Sequence, residues 1–423
     1  MDDKYRQRLK WLYGLERFGI KPGLSRINRF LKYLGNPQRT YSSILIAGTN
    51  GKGSVASALT SILTSAGYKV GFYTSPHILN FNERIRIGRQ ALIPDDFINK
   101  FIKDHKYTIE HNAYTFFETT TAMAFDYFAL QNVDYAVIEV GMGGRLDATN
   151  ILKPVLSVIT SISYDHTERL GNTLELICKE KVGIIRNGKR LVLDDSSVEV
   201  NKSITELAER FGTRIDRISD LEAVLNKMDY DGIKFKVNDN VFSFPLIGKH
   251  QLNNALLAIL AGKNLGCNDE IIRDGLSKTI WPGRFQVISQ NPLIICDVGH
   301  NPDSAIKLRE TLDYFELHPV NFIFAIMRDK DIQGYCRALF RPEDRVWVIP
   351  LENRRSEKPE KLFEMMSRGN HPTVKICGDC REALHSVFED NLPIVITGSH
   401  YVLDACLRVL SSEYSIKIPG LPI

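Results

Sequence analysis

No apolar run in this chain is long enough to span a bilayer; "VLSVITSI" and "NFIFAIM" have the length of strands. The opening residues, "MDDKYRQRLKW", are charged and lack the apolar centre of a secretion signal. A cytoplasmic protein without a membrane partner is therefore expected. No basic stripe interleaved with aromatics occurs. The net charge is only +4 over 423 residues, and clusters such as Arg354–Arg355 have acids nearby, so nucleic acid is not an expected partner. Cysteine is sparse: seven residues, an odd and scattered set, which argues for reduced thiols. Cys377 and Cys380 form a C-x-x-C, but no second ligand pair at zinc spacing accompanies it. The better reading is a strand "TVKIC", a turn "GD" and a helix "CREALHSVF". Low-complexity tracts and solenoid repeats are also missing.

The length exceeds one ordinary core and predicts two or three domains. Through the first half, strands alternate with helices: "SSILIAG", "KVGFYTSP", "VDYAVIEVG" and "PVLSVITSIS" are strands, and "SVASALTSILTSAGY" and "TFFETTTAMAFDYFALQN" are helices. This is the pattern of a mostly parallel sheet with crossover helices. In the first helix Val55, Ala58, Leu59, Ile62, Leu63 and Ala66 fall on one face. Residues 190–241 read as less regular and more charged, a decoration of the first domain. "GKHQLNNALLAILAGKNLG" is a further helix, with Gly266 as its end signal. The turn "WPGRF" (Trp281–Phe285) separates residues 1–284 from residues 285–423. In the second part "PLIICDVGHNP", "VNFIFAIM", "DRVWVIP", "TVKIC" and "LPIVITGS" alternate with helical segments. The predicted fold class is an α/β P-loop ATPase domain with a mostly parallel sheet plus a smaller Rossmann-like α/β domain.

Strand ends hold the chemistry, because ligands of open α/β sheets bind at the carboxyl ends of strands. "GTNGKGS" follows the first strand: Thr49, Asn50, Gly51, Lys52, Gly53 and Ser54 combine close backbone approach, a cation and a hydroxyl suited to Mg²⁺, ahead of a helix. The strict G-x-x-x-x-G-K-[ST] form is not met, since Ile46 and Gly53 stand at two of its positions. In "IEVGMGGRLDATN", Glu139 is an acid at the end of an apolar strand. It is either a Mg²⁺ carboxylate or one half of an ion pair with Arg145. Asp165 and His166 end another strand; taken locally, His166 is better read as a structural or acid–base residue, because Mg²⁺ prefers oxygen. Lys179 and Lys181 in "KEKVGII" fit a solvated helix face. Ser75, His77, Glu83, Arg84 and Arg86 fit a surface loop. In "CDVGHNPDS", capping explains Asp303 but not His300 and Asn301 at the end of an apolar strand.

Together, "AGTNGKGSV", "TSPH…FNERI", "FFE", "EVGMGGRLDATN", "TSISYDH", "KEKVGII", "WPGRF" and "D..HNPD" resemble the folylpolyglutamate synthase/dihydrofolate synthase family of the Mur ligase superfamily, over essentially the whole chain. The resemblance implies an ATP-dependent amide ligase that adds L-glutamate to dihydropteroate or to the γ-carboxylate of reduced folates. It implies ATP and Mg²⁺ as cofactors and a monomer. Residue by residue, it implies that Gly51, Lys52, Gly53 and Ser54 hold the triphosphate and that Ser75, Glu139 and His166 belong to the magnesium site, against the local reading of His166. It also implies that Lys181 is carbamylated by CO₂, and that Asn254, Arg284 and Asp297 contact ATP. His300 and Ser399 match positions near glutamate; Phe117 and Asp147, with "YGLERFGI", match the pterin side. Val298 replaces a glycine of the family pattern and His400 an apolar residue. The alternative within the superfamily is an amino-acid ligase acting on a different carboxylate. A kinase or GTPase would place Ser or Thr directly after Lys52, and no N-K-x-D accompanies the loop. A cell-wall ligase would carry an extra N-terminal domain ahead of the loop, and a catalytically silent binder would not need Lys52, Glu139, His166 and Lys181 intact.

Overall fold

A computed structural model describes residues 3–19, 21–367 and 372–421. Its centre is an eight-stranded sheet made from β1 (Ser42–Ala47), β2 (Val70–Tyr73), β3 (Ile85–Ile87), β4 (Ala91–Leu92), β5 (Tyr135–Glu139), β6 (Leu156–Ile159), β7 (Arg190–Leu193) and β8 (Arg214–Arg217). The strand order is β4-β3-β2-β5-β1-β6-β7-β8. Strands β2, β5, β1, β6, β7 and β8 are parallel, while β3 and β4 add an antiparallel edge. The order changes direction at β1, flanked by β5 and β6, so a crevice opens beyond the carboxyl end of β1, where ligands of such sheets sit. Central strands are buried on both faces, which explains the unbroken apolar run Ile44, Leu45, Ile46 and Ala47.

The helix after β1, Lys52–Ser65, is not an amphipathic surface helix. Every residue from Gly53 to Leu63 is buried. One side meets the sheet; the other meets the helices Gln251–Asn264 and Asp269–Ser277. The expectation of a single apolar face is corrected for a physical reason: its Ala, Ser and Thr residues are small enough to admit neighbouring backbones. Ser57 and Ser61 hydroxyls donate to the Ile280 and Gly275 carbonyls at 2.9 and 2.6 Å, so the polar positions are satisfied inside.

Residues 190–241 are more regular than expected. They supply β7 and β8, the helix Val198–Arg210, and most of a three-stranded antiparallel sheet of β9 (Ala223–Asp229), β10 (Gly232–Val237) and β11 (Asn240–Phe244). Ile233, Phe235 and Val237 face inward while Lys234 and Lys236 face out. The high charge was the outer half of a period-two pattern.

The C-terminal α/β domain carries a six-stranded sheet, β12 (Gln286–Gln290), β13 (Leu293–Asp297), β14 (Asn321–Phe324), β15 (Arg345–Val348), β16 (Thr373–Ile376) and β17 (Ile394–Thr397). Its order is β12-β13-β17-β14-β15-β16, parallel except for the β12 edge. Cys377 and Cys380 follow the strand–turn–helix reading, with the helix at Cys380–Phe388, and all seven cysteines are free.

Candidate active site

The crevice beyond β1 is a cleft of about 590 Å³, lined by both domains. That volume suits a nucleotide. Its floor is the loop from Gly48 to Gly51. Gly48 has φ +152°, and a Cβ there would lie 1.7 Å from Thr160 Oγ1; Gly51 has φ +85°, and a Cβ there would lie 2.3 Å from Asn254 Oδ1. Both positions therefore require glycine. Thr160 Oγ1 donates to the Asn50 carbonyl at 2.6 Å, and the Thr49 hydroxyl donates to the Ser163 carbonyl at 3.0 Å while accepting from the Ser163 amide. The loop is held rigid from β6's carboxyl end. Helix Lys52–Ser65 starts directly after it, so free amides and the positive dipole end face the cleft.

Lys52 folds back, with Nζ donating to the carbonyls of Thr49 at 2.9 Å and Gly48 at 3.2 Å. Burial lowers its pKa, while Glu139 and Asp165 oppose that shift. Lys181 is not on a solvated helix face. It is buried, and its Nζ donates to the same Gly48 carbonyl at 2.6 Å. Burial first, and then the Lys52 charge, lowers its pKa to about 7.

Glu139 ends β5 in a buried position. The Thr74 hydroxyl and the Ser75 amide donate to its Oε2, the latter at 3.3 Å. The alternative of an ion pair with Arg145 is ruled out, because Arg145 binds Glu180 at 2.7 Å. Among the described residues no cation lies within ion-pair distance of Glu139; Lys52 and Arg284 act on this buried carboxylate only at longer range. Ser54, Ser75 and His166 line the same cleft. Burial, together with the Lys330 and His300 charges, lowers the His166 pKa to about 4 against the pull of Asp165. A neutral imidazole can donate a lone pair to a metal. Among the described residues no three His, Cys, Asp or Glu side chains form a metal cluster. A buried carboxylate without a direct ion-pair partner, two hydroxyls and one neutral imidazole fit Mg²⁺ that keeps waters and phosphate oxygens as its other ligands.

The second domain contributes the opposite wall. Arg284, Asp297, His300 and His400 line the cleft with Asn254. Asp297 accepts from the Phe285 amide at 2.9 Å and the Gly299 amide at 2.7 Å; burial raises its pKa, and the Arg284 charge counters this. His300 Nδ1 lies 3.0 Å from the Val298 carbonyl. Asn50 of the loop donates to Asp303 at 2.8 Å, and Asn301 donates back to Asn50 at 3.0 Å. His400 is half-buried and lines the cleft, its ring centroid 6.3 Å from that of His300. Burial, then Arg284, His300, His77 and Arg84, hold its pKa well below the usual imidazole range.

Three expected site residues stand outside the cleft lining. Phe117 backs the cleft wall, its ring lying where a Cβ on Gly141 would come within 2.4 Å. Asp147 is a loop organiser, accepting from the amides of Met142 and Thr149 and from the Thr149 hydroxyl at 2.6 Å. Ser399 caps the helix His400–Tyr414 and donates to the Ala325 carbonyl at 3.0 Å. Conversely, Lys330, Asp165 and Asn301 belong to the cleft's polar network but were not among the expected ligands. The signal for Lys330 was its place in "RDKD", directly after an apolar strand.

A glycine-rich triphosphate loop under a second α/β domain, with a charged cleft between them, defines the Mur class of ATP-dependent ligases. The Mur ligase middle domain family matches residues 46–262, and the Mur ligase glutamate ligase domain family matches residues 283–400. The chain is 33% identical over 419 residues to the dihydrofolate synthase/folylpolyglutamate synthase of Bacillus subtilis (strain 168), covering 94% of this chain and 97% of the relative. It is 34% identical over 409 residues to the Escherichia coli (strain K12) protein of the same name, covering 96% of each. The Mycobacterium tuberculosis folylpolyglutamate synthase, solved with ADP and AMPPCP, superposes with a TM-score of 0.87 at 30% identity, covering 97% of this chain and 99% of that one. The chain belongs to the folylpolyglutamate synthase/dihydrofolate synthase family.

Proposed function

We propose that this protein joins L-glutamate to dihydropteroate, to the γ-carboxylate of reduced folates, or to both, at the cost of ATP. The observation that carries this reading is the meeting of the Lys52 loop with the His300–Asp303 turn across one cleft. A carboxylate is a stabilised anion without a leaving group, so it must be activated before an amine can attack it. Phosphorylation by ATP, a substrate here, gives an acyl phosphate. Lys52 and the amides of helix Lys52–Ser65 stabilise charge on the moving phosphoryl group. Ser54, Ser75, Glu139 and His166 would hold Mg²⁺, which would neutralise phosphate charge. Lys181 has a free amine near neutral pH and is our candidate for carbamylation, which would convert a buried cation into a carboxylate. Asn254, Arg284 and Asp297 are assigned to ATP, Phe117 and Asp147 to the pterin side, and Ser399 and His300 to glutamate, with His300 positioning the amine.

We assign the ATP and folate sites to residues 1–284 and glutamate delivery to residues 285–423. We take the monomer as the acting unit. We place its work on small molecules in the cytoplasm; among the described residues no helix is long and apolar enough to cross a membrane. The test is ATP-dependent incorporation of glutamate with dihydropteroate set against a reduced folate. ADP should appear only when glutamate and one of these acids are both present. Equal ATP turnover without them would overturn the ligase reading.

A further inference from the structure

Three side chains of the C-terminal domain converge on one carboxylate of the first. Asp165, at the end of the segment after β6, lies 2.7 Å from Lys330 Nζ, 3.4 Å from Asn301 Nδ2 and 3.7 Å from His300 Nε2. Lys330 Nζ is also 3.5 Å from His166 Nε2. The Lys330 and Asp165 side chains are only 7% and 11% exposed. Such a pair is little screened, and removal of one partner strands the other charge in a dry place. The backbone carrying Lys330 is itself fixed. Its amide donates to the Met327 carbonyl at 3.2 Å, Asp331 caps the helix Ile332–Leu339 that follows, and Arg355 holds Asp329 at 3.0 Å. A lysine delivered so rigidly across a domain interface does more than decorate it.

We propose that Lys330 is a positioning residue for the ligase reaction: paired with Asp165, it sets the distance between the triphosphate loop and the His300–Asn301 turn. This rests on the ligase reading above. Asp165 is the shared anchor. With Lys330 in place its charge is matched, and His300 and Asn301 are held at its edge. Without Lys330, Asp165 keeps only Asn301 and His300 as second-domain partners, and the turn is drawn toward it and away from the incoming amine. Misplacement of a reacting group by about 1 Å costs on the order of 10²-fold in rate.

The experiment compares wild type with Lys330→Met, Lys330→Arg, Asp165→Asn and the Lys330→Met/Asp165→Asn double variant. Glutamate-dependent ADP release gives kcat and the KM for glutamate; calorimetry with AMPPCP gives nucleotide affinity. Lys330→Met should lower kcat on the order of 10²-fold, with AMPPCP affinity changed far less, and Lys330→Arg should keep most of the rate. The double variant should be no slower than the worse single variant, because one interaction is broken in both. Wild-type kinetics in Lys330→Met, or additive losses in the double variant, would refute the proposal. If Lys330→Met does not fold, Asp165→Asn carries the same kinetic comparison. A wild type that needs no glutamate would instead overturn the ligase reading itself, and the two failures are separable.

Discussion

Lys181 Nζ donates to the Gly48 carbonyl at 2.6 Å, across 133 positions of chain, and so binds the end of helix Leu174–Lys181 to the first glycine of the triphosphate loop. The amine sits where a cation is costly, beside the Lys52 charge, and its pKa falls to about 7. Below about 7, folded and unfolded chains both hold the proton, and the full burial cost opposes folding. Between about 7 and the ordinary 10.5, only the unfolded chain holds it, so stability should rise with pH across that window. Urea unfolding through this range should show the rise in wild type and a flatter profile in Lys181→Met.

The same neutral amine can attack CO₂. Lys181→Ala should lose turnover and regain part of it with added short carboxylic acids. Intact-mass measurement of wild type under bicarbonate should show the added carboxylate. Absence of both the rescue and the added mass would count against carbamylation.

Lys52 is the cation that meets the triphosphate loop from within. Lys52→Ala should lower kcat by roughly 10²- to 10³-fold, the scale for losing one preorganised charge-stabilising group. Circular dichroism should remain that of the folded chain, and steady-state ADP release reads the loss.

Glu139 and Arg145 should behave oppositely. Arg145 is half exposed in its pair with Glu180, at 57% against 22%, so Arg145→Ala should cost no more than about 1 kcal/mol and leave turnover in place. Glu139→Gln removes the buried carboxylate charge from the cleft. It should weaken apparent magnesium affinity by at least the roughly 10- to 100-fold seen when an outer-shell partner is lost. Magnesium titration of ADP release distinguishes the two variants.

A Cβ on Gly53 would lie 2.4 Å from the Trp281 ring. Gly53→Ala should therefore cost roughly 1–3 kcal/mol through overpacking. A Gly53→Ala/Trp281→Phe double variant should lose less than the sum of the singles, because the smaller ring makes room. Chemical unfolding of the four proteins closes the cycle.

Strands and the loop were legible because each obeys a local rule. Ile44 to Ala47 is an apolar run ended by glycine, and Lys52 and Ser54 follow at the start of a helix. The surroundings of that helix were not legible. Ser57 and Ser61 look polar in sequence, and only the carbonyls of Ile280 and Gly275 make them interior residues. Residues 190–241 looked irregular partly because lysines mask a two-residue alternation in β10. For Glu139 the sequence left two partners open; the chain path chose Glu180 for Arg145 and left the carboxylate to the cleft.

By itself, the sequence determined the α/β class, the nucleotide loop and the family, since these rest on residue order and short-range periodicity. The tertiary structure decided the state and company of the charges. Lys181 reads as a solvated lysine until burial lowers its pKa, and Lys330 reads as one charge in "RDKD" until the second domain brings it to Asp165. Desolvation and Coulomb energy depend on distance and dielectric in space, and neither is written in the spacing of residues along a chain.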